Sequence, residues 1–253
     1  MNKNQLIASA LMGAFALSLS PAADAQRLHD PKVESKVEMR HANKTGQTVN
    51  TERRSLKDRI QDILHPKAQE TEKRSGVKVP KTVSPKDPSI IGTPLASQQQ
   101  CVEYLLSNNP HPAISVTPEQ LVSFYYEEGM REGIRPDVAF AQALKETGFF
   151  RYGGTVTPDQ NNYCGLGTTS AQVKGAYFPS SQMGVRAHIQ HLLAYAATRK
   201  PQEKVVDPRY DIVRSSNGNR TLERWEELNG RWAVPGYTYG QSILSMFQEI
   251  LKK

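Results

Sequence analysis

The sequence predicts a mostly helical α+β domain over residues 96–253, with a small irregular or β lobe, preceded by a disordered tether and an export signal. Apolar residues recur at helical spacing through this domain, between recognisable start and stop residues. A stretch rich in Gly, Pro and Asn interrupts the helices between Gly148 and Pro179. Residues 26–95 contain no Phe, Tyr or Trp, which is typical of a segment with too little apolar surface to fold alone. Strands and helices do not alternate, so we do not expect a parallel sheet.

Residues 1–25 have the pattern of a secretory signal peptide. Lys3 precedes an apolar stretch, Pro21 ends it, and small residues surround Ala25, where cleavage is expected. The apolar stretch is shorter than the roughly 20 residues that a transmembrane helix needs. No Cys follows it for lipid attachment. We therefore expect an exported protein without a transmembrane span after processing, located in a periplasm or in the cell wall.

The predicted tether, residues 26–95, carries most of the positive charge of the protein. It contains 15 Lys and Arg against 9 Asp and Glu, whereas residues 96–253 contain 16 against 15. A basic arm on an exported protein indicates attraction to an anionic envelope polymer or to lipid headgroups, although a solvated spacer explains the same composition. Nucleic acid is not an expected partner of an exported chain. A helix over residues 53–64 would be marginal at that length.

The first predicted helix begins after Thr117. This residue is a good N-cap, Pro118 suits the first helical position, and Gln120 completes a capping box. Leu121 and Phe124 continue the apolar spacing.

The second predicted helix covers residues 137–147. Asp137 complements the positive N-terminal end of the helix, and Gly148 can adopt the left-handed conformation that ends it. One apolar stripe along this helix is expected to be buried. Apolar spacing predicts further helices over residues 181–198, 222–228 and 239–251.

Glu146 lies in the last turn of the second predicted helix. The negative end of the helix dipole, together with Phe149, Phe150 and Tyr152, is expected to disfavour the charged carboxylate and to raise its pKa. A carboxyl with a raised pKa can act as a general acid near neutral pH. The alternative is an ordinary solvated glutamate at a helix end.

The stretch after this helix offers groups that could hold a sugar. Asn161 and Asn162 carry amides for hydroxyl or N-acetyl groups, and Tyr152, Tyr163 and Tyr177 offer flat faces with polar tips. An acid beside a cleft with aromatic walls is what glycan cleavage requires. Asn pairs before Gly also form turns, and aromatic residues also fill cores, so structural roles stay open.

Five stretches in one order carry a family resemblance. The chain resembles the glucosaminidase family of peptidoglycan hydrolases, family 73 of the glycoside hydrolases. The stretches are Ala139-Phe-Ala-Gln-Ala-Leu-Lys-Glu-Thr-Gly148, Asn161-Asn-Tyr-Cys-Gly-Leu-Gly167, Gly184-Val-Arg-Ala-His-Ile-Gln-His-Leu192, Asp207-Pro-Arg-Tyr210 and Trp232-Ala-Val-Pro-Gly-Tyr-Thr-Tyr-Gly240.

The resemblance implies a lysozyme-like fold and an endo-β-N-acetylglucosaminidase that cuts after N-acetylglucosamine in peptidoglycan glycan strands. Glu146 matches the catalytic acid of the family. Tyr210 resembles a tyrosine near the cleft that members often need, and Tyr195 is a competing assignment for it. No cofactor is implied.

The chain departs from the family at the second carboxylate. Many members have an acid in the small lobe, about thirty residues beyond the catalytic glutamate, but no acid occurs here in residues 174–179. Asp159 is the only carboxylate between Glu146 and Glu203, and is therefore the candidate for positioning water. Otherwise the N-acetyl group of the substrate attacks the anomeric carbon, with Asn161, Asn162 or Tyr210 orienting it.

Two other uses of the cysteines and histidines are weaker. Cys164 with His188 or His191 could form a thiol hydrolase, but no helix start lowers the pKa of the thiol. The two histidines lie three residues apart, as metal ligands can, yet no cluster supplies further ligands, so no metal site is predicted. Cys101 and Cys164 could form a disulfide in an exported chain.

Three alternatives to the main hypothesis remain open from the sequence. The region around Trp225 and Trp232 could be a glycan subsite or a core with an acidic face. The missing lobe acid allows a non-catalytic protein that binds cell-wall glycan. A lytic transglycosylase or a muramidase also fits, because a single glutamate can serve as both acid and base.

Overall fold

The computed structural model describes residues 77–168, 173–234 and 236–253. The predicted signal peptide and the tether up to residue 76, with its marginal helix, lie outside the described residues. Within them, no helix is long and apolar enough to cross a membrane. The helices are α1 Gln98–Asn108, α2 Pro118–Glu132, α3 Pro136–Thr147, α4 Ser181–Ala196, α5 Arg209–Asn217 and α6 Tyr239–Ile250, with 3₁₀ turns at Pro158–Gln160 and Trp225–Leu228.

Helix α3 is the centre of the core. Every residue from Pro136 to Leu144 is buried, and the helix packs against α2 and α6, and less extensively against α1. The prediction of one buried stripe is therefore wrong, because neighbouring helices cover α3 on several sides. Its predicted end is confirmed, since Gly148 has a left-handed φ of 58°.

Most of the other predicted helices are confirmed within two residues. The capping box of Thr117 and Gln120 begins α2, as predicted. The predicted helix over residues 222–228 is only the 3₁₀ turn Trp225–Leu228. Helix α1 was not predicted, although Ser97 and Gln100 form a capping box at its start. Helix α5 was also missed, because its sequence is polar and only Tyr210 is buried.

The lobe between α3 and α4 is irregular, and a β structure in it is not confirmed. Its described residues are held by side-chain and main-chain hydrogen bonds around the 3₁₀ turn Pro158–Gln160, such as Phe178 N to Gln160 O at 2.9 Å. The isolated β-bridges in the described part of the chain lie elsewhere, at Ser89–Arg224, Ile91–Ile134 and Asn229–Ala233.

The segment 87–96, which was predicted as the end of the disordered tether, packs onto the domain. Ile90 is fully buried, its N–H donates to Glu223 O at 2.9 Å, and its carbonyl accepts from Arg135 N at 3.0 Å. The predicted boundary before residue 96 is therefore wrong. Two isoleucines and main-chain pairing hold this segment without the aromatic residues whose absence suggested disorder.

Asp137 and Arg135 fasten this segment to α3. Both side chains are fully buried. Asp137 Oδ2 accepts the N–H groups of Leu95 and Ala96 at 2.8 and 3.2 Å. Arg135 Nη1 donates to Asp87 O at 2.6 Å, and its guanidinium lies 4.8 Å from the ring centre of Phe247. The Arg135–Asp137 ion pair, 3.7 Å apart, thus joins the segment to the start of α3 and to α6.

The predicted disulfide is not formed. Cys101 and Cys164 are both buried free thiols. Cys101 belongs to the main hydrophobic core, whereas Cys164 belongs to a smaller cluster with Leu166, Phe178 and Ala187 under the lobe.

We expect Asp137→Ala to destabilise the protein by about 3 kcal/mol, because it leaves the Arg135 charge and two main-chain N–H groups buried without their partner. Asp211→Ala is the matched control, since Asp211 is exposed in the first turn of α5. Urea unfolding followed by circular dichroism measures both changes. Equal, small losses of stability in the two variants would contradict this role of Asp137.

Candidate functional site

Glu146 lies in the last turn of α3, where the helix ends sharply. Gly148, Phe149 and Phe150 all have left-handed φ values of 57–58°, which is uncommon for residues other than glycine. The turn is held because Thr147 Oγ1 accepts Phe150 N at 2.9 Å. The chain therefore leaves the helix immediately after the glutamate, and its side chain stays accessible at the edge of the core.

Glu146 lines a cleft of about 540 Å³, within the size range of small-molecule sites. The opposite wall is the start of α6 and the loop before it. Its other lining residues are Lys145, Ala233, Gly236, Tyr237, Thr238, Tyr239 and Ser242. A second depression of about 500 Å³ lies between the lobe and residues 204–208, and Glu146 does not line it.

Tyr239 is the side chain that the fold brings onto Glu146. Its ring is buried at the start of α6, and its hydroxyl donates a hydrogen bond to Glu146 Oε1. Lys145 Nζ lies 5.9 Å from the centre of the same ring. Tyr239 was not among the predicted site residues, although it lies in the stretch 232–240 that carries part of the resemblance.

The pKa of Glu146 is raised above its ordinary value, as predicted. The main cause is desolvation by the surrounding protein, while the Tyr239 hydroxyl and the Lys145 charge lower it in part. The side chain is exposed, yet its carboxylate is desolvated, because a cleft admits water from one side and holds protein atoms on the others.

The aromatic residues expected to raise this pKa lie elsewhere. Phe149 packs against Tyr104, with ring centres 5.7 Å apart, and Phe150 packs against Tyr163 at 5.8 Å. On the lobe side Gly165 lies close to the carboxylate, since a Cβ added to this glycine would be 3.9 Å from Glu146 Oε2.

A buried hydrogen-bond relay leads from Tyr239 into the core through Gln142, His188 and Tyr125. Gln142 Nε2 donates to Tyr239 Oη at 2.7 Å, and Gln142 Oε1 lies 2.9 Å from His188 Nε2. His188 Nδ1 lies 2.9 Å from Tyr125 Oη. Burial, and secondarily His191, lowers the pKa of His188 to about 3, so the imidazole is neutral.

The thiol hydrolase that the sequence left as a weaker alternative finds no support in the surroundings of Cys164 and His188. Both nitrogens of His188 are in the relay, and burial raises the pKa of the Cys164 thiol well above its ordinary value. Among residues 77–168, 173–234 and 236–253, no group of three His, Cys, Asp or Glu side chains is arranged to hold a metal.

Asn161 and Asn162 hold the lobe together rather than facing the cleft. Asn161 Nδ2 donates to Phe178 O at 3.1 Å, and its Oδ1 accepts from Ser115 Oγ at 2.8 Å. Asn162 accepts from Leu166 N and donates to Leu166 O, both at 2.9 Å. Neither residue lines the cleft of Glu146, and these contacts support the structural role that the sequence left open for both amides.

Tyr163 and Tyr152 are also directed inward. Tyr163 is buried, and its hydroxyl donates to Ser181 Oγ at 2.8 Å. The Tyr152 ring is partly exposed, but its hydroxyl is buried and makes no hydrogen bond among the described residues. Neither residue lines the cleft beside Glu146.

Asp159 and Tyr177 lie together on the surface of the lobe. Asp159 is exposed, and hydrogen bonds with Thr157 and Tyr177 and the charge of Lys174 lower the pKa of its carboxyl. Tyr177 is 55% exposed and lines the second depression. Asp159 thus stays ionised, but it is not among the residues that line the cleft of Glu146.

The two tyrosines that the resemblance suggested are bound to main-chain carbonyls. The Tyr210 hydroxyl donates to Arg199 O at 3.1 Å, and the Tyr195 hydroxyl donates to Arg231 O at 3.4 Å. Neither lines the cleft of Glu146, whereas Tyr239 lines it and contacts Glu146 directly.

The two tryptophans pack against other side chains of the domain. Trp225 is fully buried, and its Nε1 donates to Ser89 O at 3.1 Å, so the core alternative is correct for it. Trp232 packs against His191 and Tyr195, with ring centres 5.0 and 5.9 Å apart.

Comparisons with known proteins identify a family for the part of the chain that contains the cleft. A family model named Glucosaminidase, described as mannosyl-glycoprotein endo-beta-N-acetylglucosaminidase, matches residues 122–252. The matched range contains Glu146, Tyr239 and the whole cleft. An uncharacterized protein of Borreliella burgdorferi is 30% identical over 165 residues, which are 65% of this chain and 78% of that protein. No solved structure matches.

We expect Glu146→Gln to unfold with a higher free energy than the unchanged protein near pH 7. A raised carboxyl pKa means that the folded state holds the proton more tightly than the unfolded state, so stability falls as pH rises from the ordinary carboxyl pKa through the raised one. Glutamine is neutral and can still accept the Tyr239 hydroxyl.

Urea unfolding at several pH values between 4 and 8 measures this difference. The advantage of Glu146→Gln should shrink as pH decreases, and Glu103→Gln, at an exposed position of α1, should show no such trend. A Glu146→Gln protein that is less stable than the unchanged one at pH 7 would show that the carboxyl is not desolvated.

Proposed function

The chain belongs to the glucosaminidase family of glycoside hydrolases, and from this membership we propose that it cleaves the β-1,4 bond after N-acetylglucosamine in peptidoglycan glycan strands. Glu146 is the general acid of this reaction. The observation that carries the proposal is a cleft carboxyl of raised pKa that accepts a hydrogen bond from a buried tyrosine. The family and its glycosidase activity support the substrate class.

The proposed first step is protonation of the leaving group. Glu146 holds its proton closer to neutral pH than an ordinary glutamate, and transfers it to the glycosidic oxygen as the bond to the anomeric carbon breaks. Tyr237, 88% exposed at the cleft, offers a face on which a sugar ring can stack. The deprotonated Glu146 can then accept a proton from the water that completes hydrolysis.

The second group of the reaction is either Asp159 or the N-acetyl group of the substrate. The only carboxylate among the residues that line the described cleft is Glu146. Asp159 is exposed on the lobe, which speaks against it as the base. We therefore favour attack by the N-acetyl oxygen on the anomeric carbon, which gives a cyclic intermediate that water opens. Asn161, Asn162 and Tyr210 make their hydrogen bonds outside the cleft, so none of them is placed to orient the amide.

The proposed setting is outside the cytoplasm, in a periplasm or a cell wall. The signal pattern of residues 1–25 supports export, and the basic composition of residues 26–95 supports contact with an anionic envelope polymer.

Glu146→Gln should reduce peptidoglycan hydrolysis at least about 100-fold, because Glu146 is the only carboxyl among the described residues that line the cleft. Release of reducing ends from purified peptidoglycan measures the rate, and Glu103→Gln is the control at an exposed site. Near-normal turnover in Glu146→Gln would assign the acid to another residue.

Mass spectrometry of the products tests the bond that is cut. Reducing N-acetylglucosamine ends support the proposal. Anhydromuramic ends would identify a lytic transglycosylase, reducing muramic ends a muramidase, and retained binding without cleavage a glycan-binding protein.

Asp159→Asn should change the rate less than about threefold if the N-acetyl group of the substrate is the nucleophile. The same release assay measures this change. A loss near 100-fold, with unchanged folding by circular dichroism, would instead assign Asp159 to the positioning of water.

A further inference from the structure

The buried relay consists of Tyr239, Gln142, His188 and Tyr125. Its inner members are fully buried in the core and cannot contact a substrate. We infer that Tyr125 and His188 are positioning residues that fix the direction of every hydrogen bond in the relay, so that the Tyr239 proton always points at Glu146. The inference rests on the proposed function of Glu146 as the acid, and it adds residues on α2 and α4 to that site.

Tyr125, at the core end of the relay, determines which group donates in the first hydrogen bond. Its hydroxyl is fully buried, and its only hydrogen-bond partner among the described residues is His188 Nδ1. A buried hydroxyl proton without an acceptor costs free energy, so the hydroxyl donates and His188 Nδ1 accepts. A neutral imidazole carries one proton, which must therefore be on Nε2.

Once His188 carries its proton on Nε2, the donor and acceptor of each remaining hydrogen bond between His188 and Glu146 are fixed. His188 Nε2–H donates to Gln142 Oε1, which orients the amide so that Gln142 Nε2 faces Tyr239. Tyr239 Oη accepts from this amide, and its single proton is left for Glu146 Oε1. In the reverse direction Tyr239 would donate to the amide, and Glu146 would receive no hydrogen bond from it. Tyr125 would then accept from His188 Nδ1–H, and its own buried proton would have no acceptor.

The relay also determines which oxygen of Glu146 carries the acid proton. Oε1 accepts from Tyr239, so the proton of the neutral carboxyl belongs on Oε2, the oxygen on the side of Gly165. Tyr239 donation lowers the pKa of Glu146, while burial raises it. The titratable groups that face Glu146 are Tyr239 of α6, Lys145 of α3 and Cys164 of the lobe.

Tyr125→Phe tests this inference, because it removes one hydroxyl and keeps the ring that packs edge-on against Phe140 at 5.5 Å. Without that hydroxyl either nitrogen of His188 can carry the proton, so the Tyr239 hydroxyl can donate to Gln142 as well as to Glu146. We expect kcat on peptidoglycan to fall about fivefold with KM unchanged, and the alkaline limb of the pH profile to move to higher pH. The limb moves upward because Glu146 loses part of the donation that lowers its pKa.

Tyr126→Phe is the matched control, since its neighbouring hydroxyl donates to Ala96 O, outside the relay. It should lose stability without a shift of the pH profile. If Tyr125→Phe and Tyr126→Phe have the same kcat and the same alkaline limb, the positioning role is overturned.

The His188 tautomer can be measured without any substrate. Nitrogen-15 NMR of the purified, histidine-labelled protein should show an unprotonated Nδ1 and a protonated Nε2 in neutral His188. A protonated Nδ1 would overturn the relay direction even if Glu146 proves to be the acid. If His188 shows the expected tautomer but the protein releases no sugar from peptidoglycan, the relay direction is supported and the proposed function is contradicted.

Discussion

The hydrogen bond from Tyr239 to Glu146 joins the end of α3 to the start of α6, and the site depends on it. In this bond the desolvated carboxyl of Glu146 accepts from the hydroxyl of Tyr239, which the core already holds in place. Because Tyr239 is buried and accepts from Gln142, its hydroxyl has little freedom. Such preorganised donors stabilise charge without reorganising during a reaction.

Helix α3 has one important polar side chain at its start, one in its middle and one at its end. Asp137 at its start holds the segment before α1, Gln142 in its middle transmits the relay, and Glu146 at its end reaches the cleft. Each of the first two is fully buried with its hydrogen bonds made, which is the condition under which polar groups are tolerated in a core. Stability and site geometry therefore depend on the same helix.

The lobe supports the site rather than supplying its reactive groups. The polar atoms of Asn161, Asn162 and Tyr163 are hydrogen-bonded within the domain. Their partners are main-chain groups of Phe178 and Leu166 and the hydroxyls of Ser115 and Ser181. This fixes the loop that brings Gly165 close to Glu146 Oε2. The side chains that face the cleft come instead from α3 and from the loop and first turn of α6.

Local patterns in the sequence were enough to predict α2, α3, α4 and α6 and the left-handed end at Gly148, because caps and helical spacing act over a few residues. The rise in the pKa of Glu146 was predicted in direction, but its main cause is desolvation, which depends on tertiary packing. Local patterns did not predict that the segment around Ile90 packs on the domain, or that Asn161 and Tyr210 bond to Ser115 and Arg199 in other parts of the chain. Tyr239 is 93 residues from Glu146, and His188 is 46 from Gln142. Only tertiary packing decides such pairs, since no local pattern records which side chains meet across a core.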